Sequence, residues 1–427
     1  MHSLYTAYTI AGLTILILAM AASVIKKRLW LSEPVLALLT GLIAGPAVFN
    51  WVDPSQWGNE ISILEEIARF SLAISLVSVA FRLPGNWIIR EWKSLAFLLL
   101  LGMPMMWLIA SFSGWWILGL GTLEALLLGA IITPTDPVAA DAIVTGDLAE
   151  QSISKETRDL ISAESGANDG LAFALIMLPV LLLDGAPVQQ VAWHWLSVVL
   201  LVDIGLSIAG GMLAGFLAAK LLHWIYQSGY AYSGSILSIT IALAVSVLGI
   251  ARLLQGDGIL AIFAAGLTMK WTLGDDGPTY EAAHHERLQE TVKDFFEVPV
   301  FIFFGMILPW SSWASLSWRA WVFVAVVLLL RRLPVILLLQ RFLPPVRDIR
   351  DTLFVGWFGP VAVAAMVYAS WADLHTGHRQ LWIIGSLVIF ASVVLHGISA
   401  TPLTQWYATL ARKTDTKALP ADKGSHQ

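Results

Sequence analysis

Acidic residues in the middle of apolar stretches have the clearest potential for chemistry in this chain. Asp136 lies between Pro134 and Pro137, in a run that otherwise consists mainly of apolar residues, glycine and threonine. Proline removes a backbone donor and clashes with the preceding helical turn, so we predict a helix broken over 133–137. Carbonyl groups and helix ends that face each other at such a break can form a cation site. A simple proline kink around a buried, protonated aspartate is the alternative.

A second group of acidic residues lies in the next apolar run. Glu164 and Asp169 are five residues apart, so their directions on a helix differ by about 140° and they cannot both face one site squarely. Ser165 and Asp169 are four residues apart and share a face, where a hydroxyl and a carboxylate offer the oxygen ligands that hard cations take. We predict that a cation and a proton compete for Asp169, as exchange requires. A purely structural aspartate is the alternative.

A matching interruption occurs later in the chain, where Gly356, Gly359 and Pro360 interrupt an apolar run. Paired interruptions in the two halves of a transporter indicate a binding site where the halves meet. We therefore predict a second helix broken over 356–360 that crosses the first. A glycine that only permits close packing is the alternative.

Two adjacent arginines, Arg331 and Arg332, fall inside another apolar run. An arginine in the bilayer interior needs a partner, and a carboxylate that accepts two parallel hydrogen bonds is the favoured one. We predict that Arg332 pairs with Glu164, which leaves Asp169 free to exchange ions. Snorkelling towards the membrane surface is the alternative for both arginines. For Arg331 both the snorkelling alternative and a secondary role beside an access funnel stay open.

Four further polar residues in or beside apolar runs have weaker signals. Asp257, Glu297 and Asp203 could line a funnel that attracts cations, and an interfacial, solvated carboxylate is the alternative for each. His396 is a candidate for pH modulation, although a hydrogen-bonded packing histidine is favoured. The loop run His-His-Glu at 284–286 lacks helical His-x₃-His spacing, so we predict no metal site there.

The elements that position these residues follow from the composition. Of the 427 residues, 57% are hydrophobic and only 13% are charged, which is about half of the roughly 25% that soluble domains carry. Apolar runs of about 20 residues, the length that crosses a bilayer core, recur along the whole chain. This pattern excludes a soluble enzyme, a disordered chain and a collagen-like chain. It predicts an all-α polytopic membrane protein.

We predict about 13 transmembrane helices, because a helix satisfies its own backbone groups in lipid. The two broken helices are the fifth and the twelfth, seven apart, so the helices form two inverted repeats with two crossed broken helices. The predicted spans are 4–25, 33–51, 60–82, 94–118, 122–144, 157–183, 191–225, 232–254, 258–274, 292–310, 317–342, 351–372 and 380–407.

This order divides the chain into six predicted segments. Each repeat has scaffold helices and core helices, one helix links the repeats, and a tail follows. The segments are 1–93 (scaffold and dimerisation helices of repeat 1), 94–183 (core helices of repeat 1), 184–231 (linking helix), 232–310 (scaffold helices of repeat 2), 311–407 (core helices of repeat 2) and 408–427 (short cytoplasmic tail).

Lysine and arginine determine the predicted orientation. With the N-terminus outside and the C-terminus in the cytoplasm, most of the 25 lysines and arginines fall in cytoplasmic segments, as the positive-inside rule requires. The first apolar run lacks the features of a cleaved signal peptide, and we predict the plasma membrane or a bacterial inner membrane. A net charge of −5 indicates no nucleic-acid partner, and the absence of cysteine excludes disulfides and thiolate metal sites.

Two motifs together resemble the paired signature of the monovalent cation:proton antiporter superfamily: Thr-Asp-Pro at 135–137 and Glu-Ser-Gly-Ala-Asn-Asp-Gly at 164–170. The Asn-Asp form resembles the electroneutral sodium/proton antiporter branch. The run at 355–360 resembles the second broken helix of the superfamily. Val361 and Ala362 after it, and the run at 256–260, are similar to fungal-type antiporters and their bacterial relatives. Many members of the superfamily carry an arginine after this Gly-Pro, where the present chain has Val361, so a pH-sensing role of that position is not expected here.

The resemblance implies more than the spacing does. It implies a homodimer in which a six-helix core moves against a dimerisation scaffold, with no cofactor. It also implies that the cation is bound by Asp169, Asp136, Ser165 and the Thr135 carbonyl, while Asn168 steadies the crossed helices.

Together these patterns predict a secondary antiporter, not an enzyme, that exchanges one Na⁺ or Li⁺ for one H⁺ by alternating access. Potassium/proton exchange is the alternative, because the cavity size that selects the cation cannot be read from the sequence. A cation channel is a remote alternative. So is an intramembrane hydrolase that uses Asp136 and Asp169 as a catalytic dyad.

Overall fold

The computed structural model describes residues 2–24, 30–136, 139–228, 235–274 and 295–418. Within these ranges every regular element is a helix and no β-strand occurs, which confirms the all-α prediction. Pro137, the loop run 284–286 and the end of the tail at 419–427 lie outside the described residues.

The helices are numbered in chain order. They are α1 (His2–Val24), α2 (Glu33–Ala44), α3 (Glu60–Arg82), α4 (Trp87–Leu118), α5 (Thr122–Ile131), α6 (Asp141–Val144), α7 (Gly146–Ser152), α8 (Lys155–Leu183), α9 (Val188–Gln227), α10 (Ser235–Leu253), α11 (Ile259–Leu273), α12 (Phe295–Met306), α13 (Trp310–Ala314), α14 (Trp318–Leu330), α15 (Leu333–Leu339), α16 (Ile349–Trp357), α17 (Val363–Thr376) and α18 (Arg379–Ala418).

Several helices are suited to cross a membrane. In the described part of the chain, seven are long and apolar enough to do so: α1, α4, α8, α9, α10, α14 taken together with α15, and α18. The helices α2, α5, α11 and α12 are apolar but shorter. At the C-terminus, α18 extends to Ala418 and therefore continues into the segment predicted as a tail, where no glycine or proline lies between Pro402 and Pro420 to end the helix.

Two helix breaks lie where the proline and glycine patterns predict them. The first follows α5, which ends at Ile131, and contains Asp136. The second lies between α16 and α17 and covers 358–362. The backbone N–H of Asp136 donates to the carbonyl of Pro360 at 2.8 Å, so the two breaks are in contact.

The second break begins two residues later than predicted. Gly356 belongs to α16 and packs against Leu333, so it is a packing glycine rather than part of the break. Pro360 lies in the unwound segment, where the missing N–H of proline prevents the helical ladder from continuing.

Helix α11 is packed closely between α8 and α9 through glycines. Gly166 and Gly170 of α8 face Phe263 and Leu260, and no Cβ would fit at either glycine without displacing them. On the other side, a Cβ on Gly211 of α9 would overlap a main-chain carbonyl of α11. Small residues allow this close approach of membrane helices. The contact at Gly170 places the start of α11 beside the middle of α8.

This packing makes a prediction about two neighbouring glycines. Gly211→Ala should destabilise the fold by about 1–3 kcal/mol, the usual penalty of overpacking, because its Cβ would overlap the carbonyl oxygen of Ala261. Gly210→Ala is the matched control, since no atom lies within 4 Å of the point that its Cβ would occupy and alanine is the better helix former. Thermal unfolding followed by tryptophan fluorescence should show a lower Tm for Gly211→Ala only. Equal Tm values would contradict the packing.

Candidate ion-binding site

Asp169 lies near the middle of α8 and is completely buried. The helix is started by Ser154, whose side chain accepts a hydrogen bond from the Thr157 N–H at 3.2 Å. Neither carboxylate oxygen of Asp169 has a hydrogen-bond partner among the described residues. Burial of an unpartnered carboxylate is costly, so this side chain requires a proton or a cation as its partner.

Asp136 connects the two breaks. One of its carboxylate oxygens, Oδ2, accepts hydrogen bonds from the backbone N–H groups of Val363 and Ala364 at the N-terminus of α17. The other oxygen accepts from the Ala139 N–H at 3.3 Å. A carboxylate at a helix N-terminus is stabilised by the unsatisfied N–H groups and the helix dipole. The aspartate of the first break therefore holds the helix that follows the second break.

Asn168 joins α8 to the first break. Its Oδ1 accepts a hydrogen bond from the Thr135 N–H at 3.1 Å, and its Nδ2 donates to Thr135 Oγ1 at 2.7 Å. The hydroxyl of Ser165 lies 3.3 Å from the same Thr135 oxygen. These residues are the predicted neighbours of Asp169, and the structure brings them together. The amide of Asn168 is used for this crossing and, at 3.3 Å, for a contact with Glu164.

Glu164 and Arg332 form a buried bidentate pair. Each terminal nitrogen of Arg332 lies 2.6 Å from one carboxylate oxygen of Glu164, and both side chains are at most 3% exposed. The Nε of Arg332 donates to the Val355 carbonyl in α16 at 3.0 Å. This is the pair predicted from the sequence. Its charges cancel inside the protein.

Arg331 contacts both breaks. Its Nη1 donates to the carbonyls of Ile132 and Thr133 at 2.6 Å each, and its Nη2 donates to the Gly359 carbonyl at 2.5 Å. The snorkelling alternative is wrong for Arg331 because the side chain is only 2% exposed, and the funnel role is wrong because its donors are used by main-chain carbonyls. The positive charge lies where α5 ends and its carbonyls are unsatisfied, a favourable place for a cation.

The other predicted funnel residues differ from one another. Glu297 is buried between α12 and α3, where it accepts a hydrogen bond from Ser75; this contradicts a position in a solvated funnel. Asp257 pairs with Arg69 at 2.5 Å. It also lines a small pocket that includes Asp203, which is partly exposed.

His396 packs beside the second break. Its Nε2 lies 3.1 Å from the Trp357 carbonyl, and its Nδ1 lies 2.9 Å from the Ser392 carbonyl. The Ser392 hydroxyl in turn accepts from the Val361 N–H at 2.7 Å. This geometry agrees with the packing alternative. A role in pH modulation stays a prediction.

Two residues of the site were missed by sequence reasoning. Arg69 lies in an apolar run, and the rule that a buried arginine needs a carboxylate would have prompted a search for Asp257. Tyr368 had no such signal, because a single tyrosine in an apolar helix is ordinary. Its hydroxyl donates to the Asp169 main-chain oxygen at 2.7 Å.

The buried pair makes a prediction about stability. Arg332→Ala leaves Glu164 buried without its partner, and it should destabilise the fold by about 3–5 kcal/mol. Arg347→Ala is the control: its ion pair with Glu156 spans 3.5 Å between side chains that are 67% and 47% exposed, and loss of such a pair costs about 0–1 kcal/mol. Thermal unfolding in detergent compares the two. A stable but inactive Arg332→Ala protein would contradict the structural role of the pair.

Known proteins that resemble this chain cover almost all of it. The family model described as "Sodium/hydrogen exchanger, transmembrane" matches residues 13–406. A Na(+)/H(+) antiporter of Saccharomyces cerevisiae is 31% identical over 94% of this chain, which spans 43% of that relative's length. A Na(+)/H(+) antiporter of Schizosaccharomyces pombe is 29% identical, over 94% of this chain and 90% of its own.

A solved structure has a similar fold. The sodium proton antiporter MjNhaP1 from Methanocaldococcus jannaschii matches with a TM-score of 0.71 and 18% identity, over 96% of this chain and 99% of that one. The resemblance predicted from the motifs is thereby confirmed. With its family match over 13–406, this multi-pass membrane protein belongs to the sodium/hydrogen exchanger family.

Proposed function

We propose that the protein is a secondary antiporter that exchanges Na⁺ or Li⁺ for H⁺ across a membrane. The observation that carries this proposal is the carboxylate of Asp169, which is fully buried and has no hydrogen-bond partner among the described residues. It lies on the helix that crosses the first break, where a cation site is built in transporters with broken helices.

The exchange would follow from competition for one carboxylate. Asp169 holds either the proton or the cation, and oxygens of Asp136, Ser165 and Thr135 complete the cation site. Hard cations take several such oxygen ligands. The negative charge of Asp136 repels that of Asp169. A bound cation reduces this repulsion, and so does a proton on Asp169. The Glu164–Arg332 pair is neutral as a unit and would take no part in the exchange.

Alternating access would come from movement of the core segments, 94–183 and 311–407, against the scaffold segments, 1–93 and 232–310. We propose a homodimer held together by the scaffold, in a plasma or bacterial inner membrane with a cytoplasmic C-terminus. Two of the proposed ligands, Asp136 and Thr135, lie in the first break, so a small displacement of the breaks changes the coordination. The breaks can therefore couple ion binding to movement.

The geometry disfavours the hydrolase alternative. A catalytic dyad requires two carboxylates that share a proton. Asp136 instead accepts hydrogen bonds from backbone N–H groups of α17. Those donors stabilise the charged form of Asp136, which disfavours the shared proton that such a dyad requires.

The role of Asp169 makes a prediction about transport. In proteoliposomes with an acidic interior and a pH-sensitive dye, added Na⁺ or Li⁺ should dissipate the gradient. Asp169→Asn should reduce the response to that of empty vesicles, because the amide exchanges neither ion. Asp184→Asn, at the exposed end of α8, is the matched control and should transport normally.

Each other outcome of this assay has a defined meaning. Transport by Asp169→Asn would contradict the assignment of the carrier. An equal or faster response to K⁺ would preserve antiport and change the cation. Failure of the wild-type protein to respond to any cation, with choline as the reference, would contradict antiport.

The single carboxylate also makes a prediction about charge movement. One Na⁺ for one H⁺ moves no net charge, so a diffusion potential imposed across the vesicle should leave the exchange rate unchanged. The measurement compares initial rates at positive, zero and negative potentials. A strong dependence on potential would indicate a different stoichiometry and a second titrating group.

A further inference from the structure

One hydroxyl joins the ion site to a network of charges on other helices. Tyr368 on α17 is only 1% exposed, and its hydroxyl lies 2.7 Å from the main-chain oxygen of Asp169 and 3.2 Å from Oδ2 of Asp257. A phenol has one proton, so it can donate to only one of these two oxygens at a time. Tyr368 therefore lies between α8 and Asp257, which is two residues before the start of α11, and has two possible acceptors.

The far side of this contact is fixed by charge. Arg69 on α3 donates to Asp257 Oδ1 at 2.5 Å and to the Asp257 main-chain oxygen at 3.3 Å. The same guanidinium donates to Glu65 at 2.9 Å. Arg69 and Glu65 are buried, so salt screens these interactions far less than it screens surface pairs. Asp257 is thus held in place by Arg69 of α3 and offers Tyr368 a rigid acceptor.

A small pocket borders Asp257. Asp203 and Ser207 on α9 line it and are partly exposed, and Asp257 and Gly170 line it as well. Gly170 follows Asp169 directly in the chain. Tyr368 is not part of the lining. The Tyr368 hydroxyl therefore contacts one residue that lines the pocket, Asp257, and the main chain of Asp169, whose neighbour Gly170 also lines it.

This contact also crosses the proposed boundary between the moving parts. Arg69 and Asp257 lie in the segments proposed as scaffold, whereas Asp169 and Tyr368 lie in those proposed as core. A hydrogen bond across a sliding boundary must break when the two parts move. It therefore contributes to the free-energy difference between the two conformations.

We propose that Tyr368, Asp257 and Arg69 form a latch that closes the route between the Asp203 pocket and Asp169, and that opens whenever the ion site faces the pocket's side of the membrane. The inference rests on the proposed antiport. Tyr368 acts in it as a positioning residue: it binds the main chain of the carrier residue and holds the closed conformation, without touching the transported ion.

The latch has a consequence that differs between the two sides of the membrane. A hydrogen bond to a charged acceptor contributes roughly tenfold or more to a conformational ratio. The apparent affinity of a site is its intrinsic affinity multiplied by the fraction of molecules in the competent conformation. Loss of the hydroxyl should therefore lower the KM for the cation on the pocket side and raise it on the opposite side.

The first step of the test identifies the pocket side. The chain contains no cysteine, so Ser207→Cys introduces a single thiol into the pocket lining. A membrane-impermeant maleimide applied to one face of oriented vesicles should label it from one side only. Labelling from neither side would show that the pocket does not open to water, and it would overturn the latch.

The second step measures Na⁺/H⁺ exchange from each side in the wild-type protein, in Tyr368→Phe and in Asp257→Asn. The ratio of the two KM values should change by roughly tenfold in Tyr368→Phe, and in the same direction in Asp257→Asn, which removes the charge that Arg69 holds. Damage to folding would lower the number of active molecules equally for both directions and leave the ratio unchanged. Tyr8→Phe, on the exposed face of α1, is the control.

The outcomes separate this inference from the proposed function. Exchange by the wild-type protein with unchanged KM ratios in both variants would overturn the latch and leave antiport intact. Shifts of both KM values in the same direction would also overturn it. If Tyr368→Phe does not fold, Asp257→Asn decides the result. No exchange by the wild-type protein would contradict the antiport on which the latch depends.

Discussion

A carboxylate that is buried without a hydrogen-bond donor must hold a proton or a cation, and the proposed function depends on that constraint at Asp169. The neighbouring polar groups do not relieve it. Asn168, Thr135 and Glu164 are all engaged with partners of their own. The fold keeps these groups paired with one another and leaves the Asp169 carboxylate without a partner among the described residues, as the proposed exchange requires.

The crossing of the two breaks shows an ordered arrangement of charge. Helix ends expose unpaired N–H groups at one terminus and unpaired carbonyls at the other. Asp136 accepts hydrogen bonds at the N-terminus of α17. Arg331 donates hydrogen bonds to the carbonyls that follow α5 and to the Gly359 carbonyl. Each charge meets the end of opposite polarity. The breaks are thus stabilised without any use of Asp169.

The adjacent arginines divide two tasks that the sequence alone does not separate. Arg332 neutralises Glu164, and Arg331 binds main-chain carbonyls of both breaks. The chain turns between α14 and α15, so the two side chains leave a short segment in different directions. Where many relatives of the superfamily carry an arginine after the Gly-Pro, this chain has Val361. Here the guanidinium of Arg331, at the end of α14, contacts the second break through the Gly359 carbonyl.

Patterns in the sequence predicted the features that depend on local chemistry. Prolines and glycines located both breaks, and the cost of a buried arginine predicted the partner of Arg332. The features that depend on the arrangement of distant helices were not predictable. Nothing near Tyr368 in the chain indicates Asp257, which lies 111 residues away. The prediction that Glu297 lines a funnel was wrong, because its burial between α12 and α3 depends on packing that no local sequence pattern records.

In the proposed mechanism one carboxylate, that of Asp169, carries the cation and the proton in turn. The most direct test is to add NaCl to the purified protein in weakly buffered detergent solution and to measure the protons released. Because the ligand must be deprotonated when the cation binds, we expect release of about one proton per bound Na⁺ in the wild-type protein and none in Asp169→Asn. Saturable binding of Na⁺ by the wild-type protein without proton release would contradict the account.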